Sequence, residues 1–509
     1  MTKIKTILLL AVLALLSQNL CAQYVPQDFP KRETRAVWLA TIGGIDWPRK
    51  KVQRSSDVAA QQAELCTLLD RLAAANINMV LLQTRIRGSV IYPSSLEPWD
   101  NCLTGKANEG PGYDPLKFAV EECHKRGMEC HAWVVVTPLG ELSRQKKHGR
   151  QGLLQRHPEL VKTVKGECFM RPDQPGTAEH VADVCAEIAR NYDIDGISLD
   201  YIRYPEKQYG YSDNASPSQK RENITRIVRT VHDRVKVLKP WVRLSSSPIG
   251  KYDDLPGQSS RGWNCYTAVY QDPQAWLRDG IQDAIYPMMY FRNNDFYPFL
   301  LNWSQNRYGR DFSPGLGIYF LDPREGKWQL DDVRRELYVS RQLEAGFVLY
   351  RAHYLVQNFK GIYQTIQQEL CPFKALPSAL AAAEGTAPAA PENLSSDGSG
   401  LWWSSGNDYG ADITYNIYGG ADWPVDTSRP ENLLQVAHRG TSLALNAQTA
   451  GRRYYAVCAM DRYGRESEPC QMEQRPSPPK QLIKDYDDQK TKKSAKKSSK
   501  KSKKNKRKK

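Results

Sequence analysis

The segment Asp193-Ile194-Asp195-Gly196-Ile197-Ser198-Leu199-Asp200-Tyr201-Ile202-Arg203-Tyr204-Pro205 contains a short apolar run with a carboxylate near its end. The run predicts a buried β-strand over Gly196–Ile202. A carboxylate at Asp200 costs free energy in such a strand unless it is paired or has a chemical task. We therefore interpret Asp200 as catalytic; the alternative is that Asp200 and Arg203 form an ion pair that holds the following loop.

Similar runs recur on both sides of this segment and alternate with helical patterns. The other strand-like runs are Arg35–Thr41, Met79–Arg85, Glu129–Val136, Val242–Ser247, Ala284–Tyr290, Gly315–Leu321 and Gly346–Arg351. The helical patterns are Asp57–Ala75, Asp114–Arg126, Thr177–Tyr192, Ser218–Leu238, Asp331–Glu344 and Phe359–Leu370, with two less regular ones at 272–280 and 295–308. Strands that alternate with helices in eight units predict an α/β fold, a (β/α)8 barrel of TIM type over residues 30–375. An open doubly wound sheet is the alternative, but residues 41–48 after the first run lack the GxGxxG spacing.

The segments that flank the barrel have different compositions. Residues 1–22 combine Lys3 and Lys5 with an apolar run of ten residues, Ile7–Leu16, and a small residue at the predicted cleavage point, which is typical of a signal peptide. Residues 376–391 are rich in Ala and Pro and predict a linker. Short alternating strands over 392–478 predict a small all-β sandwich. Residues 479–509 predict a disordered Lys-rich tail.

The positive charge of the chain is concentrated in this tail. The formal net charge is +15, of which 13 Lys/Arg lie in residues 490–509 and two in residues 1–22, so that residues 23–489 are close to neutral. A nucleic-acid-binding domain should carry basic charge on its fold, so this class is disfavoured. We expect a protein exported across the inner membrane to the periplasm or envelope, whose tail binds an anionic surface; a tail that only aids solubility is the alternative.

Active sites of such barrels lie at the carboxyl ends of the strands. Residues of three kinds are expected there: aromatic rings that pack against the C–H faces of sugars, arginines whose forked guanidinium groups bind carboxylates, and a histidine that forms hydrogen bonds with sugar hydroxyls. The candidates for substrate binding are Arg85, Arg87, Trp99, His131, Trp133, Arg203, Tyr204 and Tyr290. Scaffolding Arg–Asp pairs and a buried barrel histidine are the alternative interpretations. No His/Asp/Glu spacing predicts a metal site, and no cofactor is expected.

Several long segments resemble the glycosyl-hydrolase-like family 10, a group of secreted bacterial barrel proteins. They are residues 35–41 and 45–48, 83–85 with 92–94 and 97–99, 103–105, 113–116, 124–129, 131–133, 195–205, 247–248 and 286–290. The resemblance implies a glycoside hydrolase that acts on a bacterial polysaccharide, with cell-wall glycan as the favoured class. Residues 386–475 resemble a fibronectin type III module, through Leu401-Trp402-Trp403 and Tyr415-Asn416-Ile417-Tyr418-Gly419 among other segments.

Glycoside hydrolysis usually needs two carboxyl groups. Asp200 is the first candidate, and Asp46 is favoured as the second because the family shares its Gly-Ile-Asp-Trp-Pro context. Other candidates for the second group are Glu97, Glu141 and Asp322. The sequence departs from the family at Ser89, where an acidic residue is common. This departure leaves open a non-catalytic carbohydrate-binding or envelope scaffold protein.

Overall fold

The computed structural model describes residues 29–380, 385–407 and 412–473. The predicted signal peptide and Lys-rich tail lie outside these residues. The barrel region contains twelve short strands in this part of the chain. In chain order they are β1 (Arg35–Leu39), β2 (Met79–Arg85), β3 (Glu129–Val135), β4 (Pro138–Glu141), β5 (Val161–Val164), β6 (Glu167–Met170), β7 (Gly196–Asp200), β8 (Arg243–Ser247), β9 (Ala284–Ile285), β10 (Asp311–Phe312), β11 (Gly315–Leu316) and β12 (Phe347–Leu349).

Nine of these strands form one parallel sheet in the order β10-β9-β8-β7-β3-β2-β1-β12-β11. The two outer strands, β10 and β11, are halves of one barrel strand, since only two residues separate them. β10 pairs with β9 and β11 pairs with β12. Gly315 joins the two edges further, because its N–H donates to the Pro287 carbonyl at 2.8 Å and its carbonyl accepts from Met289 N–H at 2.9 Å. The sheet is therefore a closed eight-stranded barrel, which confirms the predicted fold class.

The helices pack around this barrel. They are α1 (Val58–Ala74), α2 (Pro115–Lys125), α3 (Leu142–Lys147), α4 (Leu153–Arg156), α5 (Pro175–Asn191), α6 (Pro217–Leu238), α7 (Pro273–Arg278), α8 (Tyr297–Gln305), α9 (Leu330–Gln342), α10 (Ala352–Val356) and α11 (Ile362–Gln364). Several begin with a capping side chain followed by Pro, as at Asp114, Ser216 and Asp272, each of which accepts a backbone N–H of the first turn. No helix within the described ranges is long and apolar enough to cross a membrane.

Three predicted elements differ in the structure. The run Ala284–Tyr290 is a strand only at Ala284–Ile285, because Pro287 lacks an N–H to donate to a neighbouring strand. The run Gly315–Leu321 leaves the sheet after Leu316 and continues as a 3-10 helix over Ile318–Leu321. The expected helix Phe359–Leu370 is interrupted where Lys360 and Gly361 have positive φ, and it ends in a π-helical turn over Thr365–Leu370.

The sequence did not predict the antiparallel sheet β4-β6-β5, which is inserted between β3 and α5. Its strands are four residues long and one of them starts with Pro138, so they carry little periodic signal. The insertion stands at the carboxyl end of the barrel, since Met170 N–H donates to the carbonyl of Thr137, two residues past the end of β3.

The C-terminal part is a small all-β unit of two antiparallel sheets. The strands are β13 (Glu392–Ser396), β14 (Gly400–Ser404), β15 (Thr414–Gly420), β16 (Leu433–His438), β17 (Ser442–Ala444), β18 (Tyr454–Met460) and β19 (Cys470–Gln471). The sheets have the orders β13-β14-β17 and β16-β15-β18-β19. Leu401 and Trp403 of one sheet pack against Ile417 and Val457 of the other. The expected sandwich is therefore present.

This sandwich packs against the amino ends of the barrel strands. Arg462 and Arg439 both bind Asp193, which precedes β7, at 2.9 and 2.7 Å. Leu376 is fully buried in an apolar cluster of the sandwich. Gly127 lies so close to the sandwich that a Cβ there would stand 2.6 Å from the Val436 carbonyl oxygen. The sandwich thus occupies the end of the barrel opposite to the expected active site.

The ten cysteines after residue 22 are all free thiols in the structure, and eight of them are buried. Burial raises the pKa of the thiols of Cys185 and Cys458 to about 12. Among the cysteines that lie in helices, Cys123 of α2 and Cys185 of α5 are buried, whereas Cys66 of α1 is half-buried.

Substitution of Gly196, at the start of β7, tests how tightly the barrel interior is packed. A Cβ at this position would lie 2.4 Å from Nδ1 of His131 and 2.8 Å from the Arg243 carbonyl oxygen. We expect Gly196→Ala to lower the free energy of unfolding by about 3 kcal/mol, because overpacking a barrel core forces neighbouring groups to move. Urea unfolding measures the change. Gly420→Ala in β15 is the control, since φ at Gly420, as at Gly196, lies outside the left-handed region, but the nearest atoms to a Cβ there would stand 3.6 Å away. An equal loss in both variants would contradict the packing argument.

Candidate active site

Asp200 closes β7 and lies at the floor of the open end of the barrel. One carboxylate oxygen accepts the indole N–H of Trp133 at 2.9 Å, and the other accepts the backbone N–H of Tyr201 at 2.7 Å. The residue is 3% exposed. Burial raises the pKa of Asp200 to about 6, although the nearby Arg203 opposes the shift. A carboxyl group of this kind exchanges a proton near neutral pH.

A cleft with about 1100 Å³ of empty space, partly open to solvent, lies above Asp200. Its walls combine aromatic and charged side chains. The aromatic residues are Trp133, Phe169, Tyr201, Tyr209, Tyr290 and Tyr350, and the charged ones are Arg87, Glu167, Asp200 and Glu206. Concave, largely apolar clefts with a few converging polar groups are the usual form of small-molecule and polymer sites.

The aromatic residues form two walls. On one side, the rings of Tyr290 and Tyr350 lie 5.4 Å apart, and Tyr319 packs on both at 5.8 Å. On the other side, Phe169 of β6 contacts Tyr209 at 5.2 Å between ring centroids. Flat rings on both sides of a carboxyl group suit a sugar chain, whose C–H faces pack on aromatic surfaces.

Two further carboxylates line this cleft, and the sequence analysis did not single them out. Glu206 lies in the loop after β7 and binds Arg203 at 2.7 Å. Glu167 starts β6 and makes no ion pair within 4.0 Å among the described residues. Glu206 follows Tyr204-Pro205 within the same motif, so its position next to Asp200 was available from the sequence. The position of Glu167 was not available from the sequence, because it depends on the inserted sheet.

Asp46 is buried beside the barrel mouth and does not line the cleft. Its carboxylate binds Arg351 at 2.5 Å and accepts the backbone N–H groups of Ala40 at 2.8 Å and His353 at 3.1 Å. Burial raises the pKa of Asp46, although Arg351 opposes the shift. These contacts join the loop after β1 to the start of α10.

Arg85 and Glu97 form a fully buried pair outside the cleft, with nitrogen-to-oxygen distances of 2.8 and 2.6 Å. Arg85 also donates to the Val135 and Val136 carbonyls. Burial opposes ionisation of Glu97, but Arg85 and His180 lower its pKa to about 2. The pair connects β2 to β3 and to the segment that carries Glu97.

The other predicted site residues are distributed between the cleft and the scaffold. Trp133, Arg87 and Tyr290 line the cleft together with Asp200. Arg203 lies directly behind it, with its guanidinium group 4.1 Å from the Tyr201 ring centroid. The remaining residues lie outside the cleft. Three were candidates for substrate binding: Trp99 packs against Gly110, His131 binds Glu129 inside the barrel, and Tyr204 binds Asn223. Two were candidates for the second carboxyl group: Glu141 is exposed, and Asp322 binds Arg324.

Ser89 is buried and also lies outside the cleft. Its hydroxyl donates to Asp100 at 2.6 Å, and Arg144 binds the same carboxylate. Ser89, where the sequence departs from the family pattern, is therefore part of a polar cluster below the loop that carries Arg87.

The raised pKa of Asp200 predicts a pH-dependent stability. The folded protein holds this proton more tightly than the unfolded chain, whose ordinary value is 3.8, so stability is full below pH 4 and falls as the pH rises to about 6. A shift of this size is equivalent to about 3 kcal/mol. We therefore compare the free energies of unfolding of Asp200→Asn and of the unchanged protein. We expect the difference to shift in favour of Asp200→Asn by about that amount as the pH is raised from 4 to 7.

Chemical denaturation at several pH values measures this difference. Asp322→Asn is the control, because hydrogen bonds from Arg324 lower the pKa of Asp322 and give the opposite sign. A relative stability of Asp200→Asn that does not change with pH would contradict the raised pKa.

Comparison with known proteins identifies the family. The family model described as glycosyl hydrolase-like 10 matches residues 33–306. The chain is 29% identical over 397 residues to glycosyl hydrolase YngK of Bacillus subtilis, with 71% of this chain and 76% of that protein covered. It is 30% identical over 301 residues to glycosyl hydrolase DigH of Escherichia coli K12, with coverage of 53% and 69%.

Solved structures of glycosidases are also similar. The glycoside hydrolase domain of PgaB (BpsB) from Bordetella bronchiseptica aligns with a TM-score of 0.47 at 12% identity, covering 67% of this chain and 99% of that domain. A putative alpha-L-fucosidase from Bacteroides thetaiotaomicron aligns with a TM-score of 0.42 at 12% identity, covering 68% and 95%. The match of the family model, which spans more than half of the sequence, shows that the chain belongs to the glycosyl hydrolase-like 10 family.

Proposed function

We propose that the protein is a glycoside hydrolase whose acid/base group is Asp200. The observation that carries this proposal is the buried carboxyl group with a pKa of about 6 at the floor of a cleft with aromatic walls. A protonated carboxyl group in this place donates its proton to the glycosidic oxygen as the bond to the sugar breaks. The N–H groups of Trp133 and Tyr201 fix the orientation of the carboxyl group for this transfer.

The second carboxylate of the reaction comes from the cleft as well. Among the residues that the structure describes, Glu206 and Glu167 are the two other acids that line it. Glu206 is held by Arg203, which also stands close to Asp200 and partly opposes the rise in the pKa of Asp200. Asp46 was favoured by the sequence, but its oxygens are occupied by Arg351 and two backbone N–H groups. We therefore propose Glu206 as the nucleophile or base and rank it ahead of Glu167 and Asp46.

The substrate we propose is a bacterial polysaccharide, with cell-wall glycan as the first class to test. The resemblance to the family favours this class. The cleft supports a sugar ligand of this kind, because it is partly open to solvent and many of its lining residues are aromatic.

Asp200→Asn is expected to lower the rate of hydrolysis about 100-fold or more, since the amide has nearly the same shape but cannot transfer the proton. Release of reducing ends from peptidoglycan and from neutral glycans measures the rate. Asp233→Asn, at an exposed aspartate of α6, is the matched control and should keep full activity. Glu206→Gln and Glu167→Gln in the same assay identify the second group. Full turnover by Asp200→Asn would refute the assignment, and glycan binding without any cleavage by the unchanged protein would favour a carbohydrate-binding role.

We also propose that the protein is exported and that the Lys-rich tail binds an anionic envelope surface. The composition of residues 1–22 and the 13 positive charges of residues 490–509 support this. Each Lys near an anionic surface contributes about 1 kcal/mol at low salt.

Co-sedimentation with envelope fragments over a range of salt concentrations tests the role of the tail. The mature chain is expected to bind more strongly at low salt than a chain that ends at Gln489, and salt should remove the difference because it screens the charges. Equal binding of both chains at low salt would rule out an anchor.

A further inference from the structure

Arg87 differs from the other arginines at the carboxyl end of the barrel. Four of these have a carboxylate partner: Arg85 binds Glu97, Arg203 binds Glu206, Arg351 binds Asp46 and Arg144 binds Asp100. Arg87 lines the cleft, and its guanidinium group has no hydrogen-bond or ion-pair partner among the described residues. Arg87 therefore presents a cation with free donors to whatever occupies the cleft.

The backbone around Arg87 is held firmly. Gln145 donates its side-chain amide to the carbonyls of Arg87 at 3.0 Å and Leu139 at 2.5 Å, and so connects the loop after β2 to the inserted sheet. The aliphatic part of Arg87 packs on Gly140, where φ is +80° and a Cβ would stand 2.9 Å from Cδ of Arg87. A side chain placed in this way loses little further freedom when it binds a ligand.

The position of Arg87 relative to Asp200 indicates which part of a substrate it would contact. Arg87 follows β2 and Asp200 ends β7, and β3 lies between them in the sheet. Two strand spacings correspond to about 10 Å. A group bound by Arg87 therefore belongs to a sugar beside the scissile bond and not to the bond itself.

The charges of the cleft favour an anionic group at this place. Glu206 is neutralised by Arg203, and Asp200 carries a proton at mildly acidic pH. Glu167 is a free carboxylate on the same inserted sheet, but it does not lie within ion-pair distance of Arg87. A planar guanidinium group with unused donors matches a carboxylate in geometry, because two parallel N–H groups can bind its two oxygens.

We propose that Arg87 binds a carboxylate carried by a sugar next to the scissile bond, so that the cleft selects an acidic glycan. The proposal rests on the proposed glycosidase function and names the class of its substrate. Arg87 is a specificity residue in this account and takes no part in proton transfer.

Binding to the Asp200→Asn protein tests the proposal without turnover. The probes are peptide-free cell-wall glycan oligosaccharides, with their lactyl carboxylates either free or converted to amides, and a uronic acid oligosaccharide in the same two forms. We expect the free acid of at least one pair to bind roughly 10- to 100-fold more tightly than its amide, as is typical of hydrogen bonds to a charged group. The pair that shows the difference identifies the source of the carboxylate.

Arg87→Ala should abolish this preference, and Arg87→Lys should retain part of it, since a lysine keeps the charge but not the fork. Arg335→Ala, at an exposed arginine of α9, is the matched control and should keep the full preference. Thermal unfolding verifies that each variant is folded.

Equal binding of acids and amides to the Asp200→Asn protein would overturn the proposal, as would a preference that survives in folded Arg87→Ala. These outcomes are separate from the failure of the proposed function. If the unchanged protein cleaves no glycan but the preference depends on Arg87, the hydrolase assignment fails and the acidic ligand stands. If the protein cleaves glycans without such a preference, only the present inference fails.

Discussion

The burial of one carboxyl group at the end of a parallel strand is the constraint on which the open end of the barrel depends. Removing Asp200 from water disfavours its ionised form, and the neighbouring groups reduce this cost only in part. Trp133 and Tyr201 supply hydrogen bonds, while Arg203 supplies a positive charge from behind the cleft. The result is an acid that holds its proton far more tightly than an exposed aspartate does, and whose ionisation near neutral pH lowers the stability of the fold.

The two ends of the barrel use charge in different ways. At the amino ends of the strands, Asp193 and Asp195 are bound by His124, Arg439 and Arg462, and this cluster attaches the sandwich. At the carboxyl ends, ion pairs such as Arg351 with Asp46 fix loops around the cleft. At this second end Arg87 and Glu167 face the cleft, which is where active sites of such barrels are expected.

The sequence was sufficient for the barrel because each strand is a buried apolar run that carries its own signal, as at Met79–Arg85, where prediction and structure agree. It also led to Asp200, Trp133, Arg87 and Tyr290 in the cleft. The inserted sheet β4-β6-β5 could not be derived in this way, since its pairing depends on contacts between strands that have no strong pattern of their own. For the same reason Glu167 and Phe169 were missed. Arg85 and Asp46 were predicted at the site but lie outside the cleft. A charged residue after a strand can bind a partner on another element, and a single sequence does not reveal that partner.

The free thiols have a consequence for how the folded chain resists oxidants. A thiol reacts as its thiolate, and burial raises the pKa of groups such as Cys185 and Cys458 so far that almost no thiolate forms in the folded protein. Protection from oxidation is therefore a property of tertiary packing and not of covalent cross-links. During folding the same cysteines are uncovered, so that the speed with which the barrel closes decides how long they are vulnerable to oxidation.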